Sequence, residues 1–232
     1  MSMSEAKLKR LAHAEYWDER YAKVGPEEQV HEWFRSFDDL APFFDRHLLQ
    51  VRPPETQPKI LHLGSGDSTI PGDLAKRGYN NQVCIDFSPV VVETMLKRHA
   101  DAGVGGITWL HGDVRQMDQI ASRSVDVAFD KGTLDAMIHG SPWSPPDEVL
   151  ENTGRYVREV FRVLKPDGAF MYVTYRQPHF VKPLLNCEGT TWDIHVDVLA
   201  GSESSFDYHG FVLKKVPPSS AGNGRTEKGD SS

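Results

Sequence analysis

Lys59-Ile-Leu-His-Leu-Gly-Ser-Gly-Asp-Ser68 is the most informative stretch of this chain. A short apolar run enters Gly64-Ser-Gly66, and an amphipathic segment from Ile70 to Arg77 follows, stopping at Gly78. Strand, glycine turn and helix in that order open a βα unit. Glycine lets the main chain bend sharply and come close to a ligand, and the first amides of the next helix can receive an anion. The third glycine of the dinucleotide fingerprint is missing, because Thr69 stands three places after Gly66. That departs from NAD binding. Taken alone, Gly64-x-Gly66 is read equally well as a tight βα turn.

Working outward, the same alternation repeats. Gln82 to Ile85 predicts a second strand and Pro89 to His99 a helix, with Ser88 as N-cap and Pro89 as first helical residue. Ile107 to Leu110 and Val125 to Phe129 predict two more strands. An amphipathic helix from Pro146 to Leu164, the turn Lys165-Pro-Asp-Gly168 and a fifth strand from Ala169 to Thr174 follow. Trp192 to Leu199 and Phe206 to Lys214 have no helix between them and therefore predict an antiparallel pair. Helices from Glu5 to Tyr21 and Phe37 to Leu49 precede the sheet. The expected fold is α/β: a Rossmann-like, seven-stranded, mostly parallel sheet with an antiparallel C-terminal pair and helices on both faces. Residues 1–57 are expected to cover the ligand crevice, 58–216 to form the core in one domain with them, and 217–232 to be a disordered tail.

The 232 residues suit one domain with a sizeable core, and no apolar run is long enough to span a membrane. The polar start lacks a secretory signal, and Cys84 and Cys187 have no C-x-x-C spacing. Both features point to a reducing compartment, cytoplasm or nucleus. A net charge of -7 argues against nucleic acid as a partner. No H-E-x-x-H or Gly-x-Ser-x-Gly pattern occurs, so no metal or serine-nucleophile site is expected.

Carboxyl ends of parallel strands converge on one crevice, which selects the chemistry-bearing residues. Asp86 ends the second strand, where a carboxylate can accept hydrogen bonds from ribose hydroxyls, with Phe87 beside it. Asp113 and Val114 follow the third strand and are placed to meet an adenine ring. Asp130 and Lys131 end the fourth, and an Asp-Lys pair there serves either the reaction or the structure. Each residue also has a plainer reading: Asp86 as a helix-start carboxylate, Asp113 as a turn residue.

Four segments resemble one family: Tyr16-Trp-Asp-Glu-Arg-Tyr21 with Glu32-Trp-Phe34, Leu63-Gly-Ser-Gly-Asp-Ser68, Asp86-Phe-Ser-Pro-Val-Val-Val92 and Asp130-Lys-Gly-Thr-Leu-Asp-Ala136. The chain resembles the class I methyltransferases that use S-adenosylmethionine (SAM), and among them the elongation factor 1-alpha lysine methyltransferases. The resemblance implies that Trp17, Tyr21 and Trp33 close over SAM, that Gly64, Ser65 and Gly66 face its methionine part, and that Asp86 and Phe87 hold the ribose. It further implies that Asp113 and Val114 frame adenine and that Lys131 lies by the methionine end. Departures are Gly-Ser-Gly-Asp in place of the usual Gly-Cys-Gly-Asn and the insertion Ser141-Pro-Trp-Ser-Pro-Pro146.

A methyltransferase has to align an activated donor with a nucleophile away from water. For a lysine acceptor, whose free pKa is about 10.4, the amine must first lose a proton. Asp130 and Asp135 are the candidates for guiding that cation. A protein-lysine N-methyltransferase with elongation factor 1-alpha as acceptor is the leading expectation, and a small-molecule methyltransferase is the alternative. An NAD-dependent oxidoreductase is disfavoured by Thr69 and by Val160, not Lys, four residues after Tyr156. A non-catalytic protein of the same fold would bind SAM without turnover, or not at all.

Overall fold

The computed structural model describes residues 5–23, 32–199 and 207–216. The anticipated tail, 217–232, lies outside them. The strands are β1 Ile60–Leu63, β2 Gln82–Asp86, β3 Ile107–His111, β4 Val125–Lys131, β5 Leu164–Thr174, β6 Trp192–Leu199 and β7 Tyr208–Lys215. They form one seven-stranded sheet in the order β3-β2-β1-β4-β5-β7-β6. β1 to β5 pair in parallel, whereas β7 runs antiparallel to β5 and to β6. The order reverses at β1, whose neighbours are β2 and β4, and that switch point is where α/β sheets open a crevice.

The helices are α1 Glu5–Arg10, α2 Ala14–Tyr21, α3 Phe37–Phe44, α4 Ile70–Ala75, α5 Pro89–Asp101, α6 Thr133–Ala136, α7 Asp147–Val163 and α8 Pro178–Leu185. Because strand side chains alternate, Leu61 and Leu63 pack with α7 and α8 residues such as Tyr156, Val160 and Val181, while Ile60 packs with Leu40, Phe44 and Leu74 of α3 and α4. The buried residues of α7 recur at helical spacing, from Val149 through Tyr156, Val157 and Val160 to Val163. Among the described residues no helix is long and apolar enough to cross a membrane.

Three expectations need correction. The helix from Glu5 to Tyr21 is broken: His13 is extended as the N-cap of α2, and the indole N–H of Trp17 donates to the Leu11 carbonyl that the break leaves open. The helix from Phe37 to Leu49 contains Pro42, which has no N–H to give, and becomes a π-helical turn over Asp45–Leu49. The Lys165–Gly168 turn sits within β5, because Val125 pairs with Leu164 and Val127 with Ala169. The residues looped out are tied down at Asp126, which takes Lys165 and Arg52, the latter also reaching Asp167.

Candidate active site

One cavity opens at the carboxyl edge of β1, β2 and β4, and all the residues expected to hold a cofactor line it: Trp17, Tyr21, Trp33, Gly64, Ser65, Gly66, Asp86, Phe87, Asp113, Val114 and Lys131. The corner after β1 is drawn tight. Gly64 and Gly66 have φ of 59° and 53°, and the amides of Gly64 and Ser65 donate to the Ile85 carbonyl. A Cβ on Gly64 would lie 2.3 Å from Thr133 Oγ1, and one on Gly66 would lie 2.6 Å from the Tyr21 hydroxyl oxygen. Both positions therefore require glycine for conformation and for space.

Asp86 is buried beside this corner, where the amide of Gly66 donates to Oδ2 and that of Ser88 to Oδ1. Burial pushes its pKa up to about 6 against those two amide donors. Ser88 is the N-cap position of α5 as expected, but its hydroxyl caps nothing and donates instead to Asp18 of α2. That bond ties the N-terminal helix to the end of β2. Trp17 stacks on Tyr21 at 5.9 Å and meets Trp33 edge-on at 5.9 Å, forming an aromatic wall.

The N-cap amide of α4, that of Thr69, does not point to an open anion site. Glu32 has taken it: Oε2 accepts from Thr69 N and Oγ1, while Oε1 accepts from Ser68 Oγ and from Lys131 Nζ. Lys131 also donates to the Trp33 carbonyl, and its side chain is only 5% exposed. The expected Asp130–Lys131 pair is thus not made. Neighbours on a strand point to opposite faces, so Lys131 turns to Glu32 and Asp130 to α7. Asp130 does not line the cavity; it is fully buried and accepts from the amides of Thr133 and Leu134 and from the Tyr156 hydroxyl. Burial raises its pKa to about 7, opposed by those donors.

Asp135 does line the cavity, yet its oxygens already accept from Tyr172, Thr174 and Arg176. Burial raises its pKa and the Arg176 charge opposes that rise. Asp113 is also engaged, gripped by the amide and guanidinium of Arg115. Burial works to raise its pKa, but the Arg115 bonds and charge outweigh it and leave the carboxyl below its ordinary value. Sequence reasoning missed Arg115 and Thr133. Thr133 donates to the carbonyls of Leu63 and Gly64 and so joins the β4 end to the glycine corner. Its position after Asp-Lys-Gly was the available signal.

The donor set fits an adenosine-bearing ligand: a buried carboxylate for a diol, apolar Phe87 and Val114 beside it, close backbone at the glycines and a cation in Lys131. Among the described residues, the one His/Asp group compact enough for a metal is His47, His195 and Asp197, and none of the three lines this cavity. Asp197 there binds Arg46 as well as both imidazoles, which joins the π-helical turn to β6.

Comparison with known proteins agrees with this geometry. Residues 55–208 match the family described as methyltransferase domain. The mouse (Mus musculus) EEF1A lysine methyltransferase 4 is 36% identical over 205 residues, covering 87% of this chain and 74% of that protein. The zebrafish (Danio rerio) eEF1A lysine and N-terminal methyltransferase is 30% identical over 94% of this chain, which spans only 31% of it. Among solved structures, a TehB-like SAM-dependent methyltransferase from Corynebacterium glutamicum matches with TM-score 0.53 at 17% identity, over 88% of this chain and 99% of that one. The [4+2]-cyclase SpnF matches with TM-score 0.61 at 14% identity, over 93% and 97%. A cyclase and a methyltransferase on one fold show that fold alone does not set the reaction. The family match and the relatives make the assignment, and the glycine corner with its buried carboxylate agrees with it: this chain belongs to the methyltransferase-domain family and is a SAM-dependent methyltransferase.

Proposed function

We propose that the protein methylates the side-chain nitrogen of a lysine in a protein acceptor, elongation factor 1-alpha being the acceptor that the relatives' names carry. One observation supports a macromolecular acceptor above others. Beyond Gly132 the cavity wall is made by Tyr175, which is 44% exposed, so that the wall continues onto the outer surface. A long side chain anchored outside can reach along such a wall. SAM supplies a methyl group already activated on its sulfonium.

The chain's own residues do the rest. Asp86 would accept from the ribose hydroxyls of SAM, its carboxylate being held in place by the Gly66 and Ser88 amides. Lys131 donates to Glu32 and to the Trp33 carbonyl, and its third N–H would be the one left for the methionine carboxylate. Trp17, Tyr21 and Trp33 would exclude water from the donor. Asp130 and Asp135 are positioning residues in this reading. Asp130 pins the start of α6 behind Thr133, and Asp135 holds Arg176 and thereby the Tyr175 corner. Neither has a bare carboxylate to take a proton. Desolvation in the crevice lowers the pKa of the acceptor ammonium, which passes its proton to bulk water at the open mouth before the neutral amine attacks the methyl group.

The test is incubation with isotope-labelled SAM and recombinant elongation factor 1-alpha, followed by mapping of the label. Label on a lysine of the factor is the expected result. Label confined to small metabolites in a cell extract would favour the small-molecule alternative.

A further inference from the structure

Phe34 and Tyr175 have been given no role toward the cofactor, yet both line the cavity. They come from distant parts of the chain and meet edge-to-face at 5.4 Å between centroids, with Tyr208 of β7 at 5.7 Å from Phe34. Phe34 has φ of 62°, a left-handed conformation that costs a phenylalanine energy and persists only where the surroundings fix it. Its ring lies over Gly132, where an added Cβ would come within 3.1 Å of it. Gly132 directly follows Lys131 at the end of β4. A strained aromatic is thus pressed against the backbone at the end of β4, and its partner Tyr175 carries the same surface outward.

Asp135, the carboxylate that lines the cavity beside Tyr175, is spent on Tyr172, Thr174 and Arg176. Aromatic faces remain, and this cluster already receives cations: Arg35 lies 4.4 Å from the Tyr208 ring centre and Arg176 lies 5.3 Å from that of Tyr175. We infer that Phe34 and Tyr175 form an aromatic rim that receives the ammonium of the acceptor lysine and guides it to the donor, a specificity-determining site for alkylammonium groups. The inference rests on the lysine reading above. A π face attracts the ammonium less strongly than a carboxylate would, so it guides the cation while opposing the loss of its proton to bulk water less than an ion pair would.

Two measurements test it. With labelled SAM and elongation factor 1-alpha, Tyr175→Ala is expected to raise the acceptor KM by roughly five- to tenfold, the range of a single cation–π contact. S-adenosylhomocysteine affinity, read by calorimetry, should stay within about twofold, which also reports that the variant is folded. Tyr175→Phe, which keeps the ring, should recover most of the loss. An unchanged KM in Tyr175→Ala overturns the rim even though the lysine reading stands. Should wild type not label the factor, the lysine reading fails for that acceptor and the second measurement still decides the rim. Saturation-transfer NMR on the S-adenosylhomocysteine complex would compare n-butylammonium with n-butanol. A stronger signal for the ammonium, lost in Tyr175→Ala, supports the rim; equal signals overturn it.

Discussion

The carboxyl ends of β2 and β4 each carry a fully buried aspartate beside an amide-rich turn, but they serve opposite sides of the sheet. Asp86 is the last residue of β2 and opens onto the cavity. Asp130 is one residue short of the end of β4 and points away, into α7, leaving Lys131 on the cavity side. Each carboxylate holds a turn through two backbone amides, Gly66 and Ser88 for Asp86, Thr133 and Leu134 for Asp130. The difference lies in what the third interaction is. For Asp130 it is Tyr156, from inside the protein, whereas Asp86 lines the cavity. Side-chain parity along a strand thus separates an aspartate packed behind the site from one that faces it.

The largest expected effect tests the structural member of the pair. Asp130→Asn turns an amide toward three donors and should cost about 2–3 kcal/mol of stability, read by denaturant unfolding, with cofactor affinity of the folded protein changed by less than about tenfold. A larger loss of affinity than of stability would break the distinction. Next comes Gly66→Ala, whose Cβ collides with the Tyr21 hydroxyl at a left-handed φ; calorimetry with SAM should show roughly 100-fold weaker binding, about 2.7 kcal/mol. Asp86→Asn should weaken SAM by roughly tenfold, the worth of hydrogen bonds to a charged acceptor, with a stability change smaller than that of Asp130→Asn.

The last test is a pair of opposed pH trends. Burial holds Asp86 near 6, above the value of about 3.9 in an unfolded chain. The folded state therefore binds the proton more tightly, and this group's contribution to stability is full below about pH 4 and is lost as pH rises through about 6. SAM affinity runs the other way, rising as the carboxylate ionises and becomes a better acceptor. Both trends should flatten in Asp86→Asn, measured by thermal unfolding and calorimetry from pH 4.5 to 7.5, about the window of the shift. Parallel trends in wild type would mean that another group controls them.

Much of this was legible beforehand because it is local. The alternation of apolar runs and amphipathic stretches set the strand order apart from its pairing, and the glycine corner, Asp86 and Asp113 sit at strand ends that any parallel sheet gathers together. Less legible were the partners. Glu32 was visible only as part of a resembling segment, and nothing in its neighbourhood says that it clasps Ser68, Thr69 and Lys131 at once. Arg115, two residues from Asp113, satisfies a carboxylate that sequence left for adenine.

Local pattern by itself determined the element types, the switch-point crevice and the residues that reach its rim, since periodicity and backbone freedom act over a few neighbours. The tertiary structure alone decided which charges are spent and which are open: Lys131 on Glu32, Asp135 on Arg176, Asp130 on Tyr156. Those pairings join residues far apart in the chain, and they form because a buried charge is costly until some partner, wherever its place in the sequence, satisfies it.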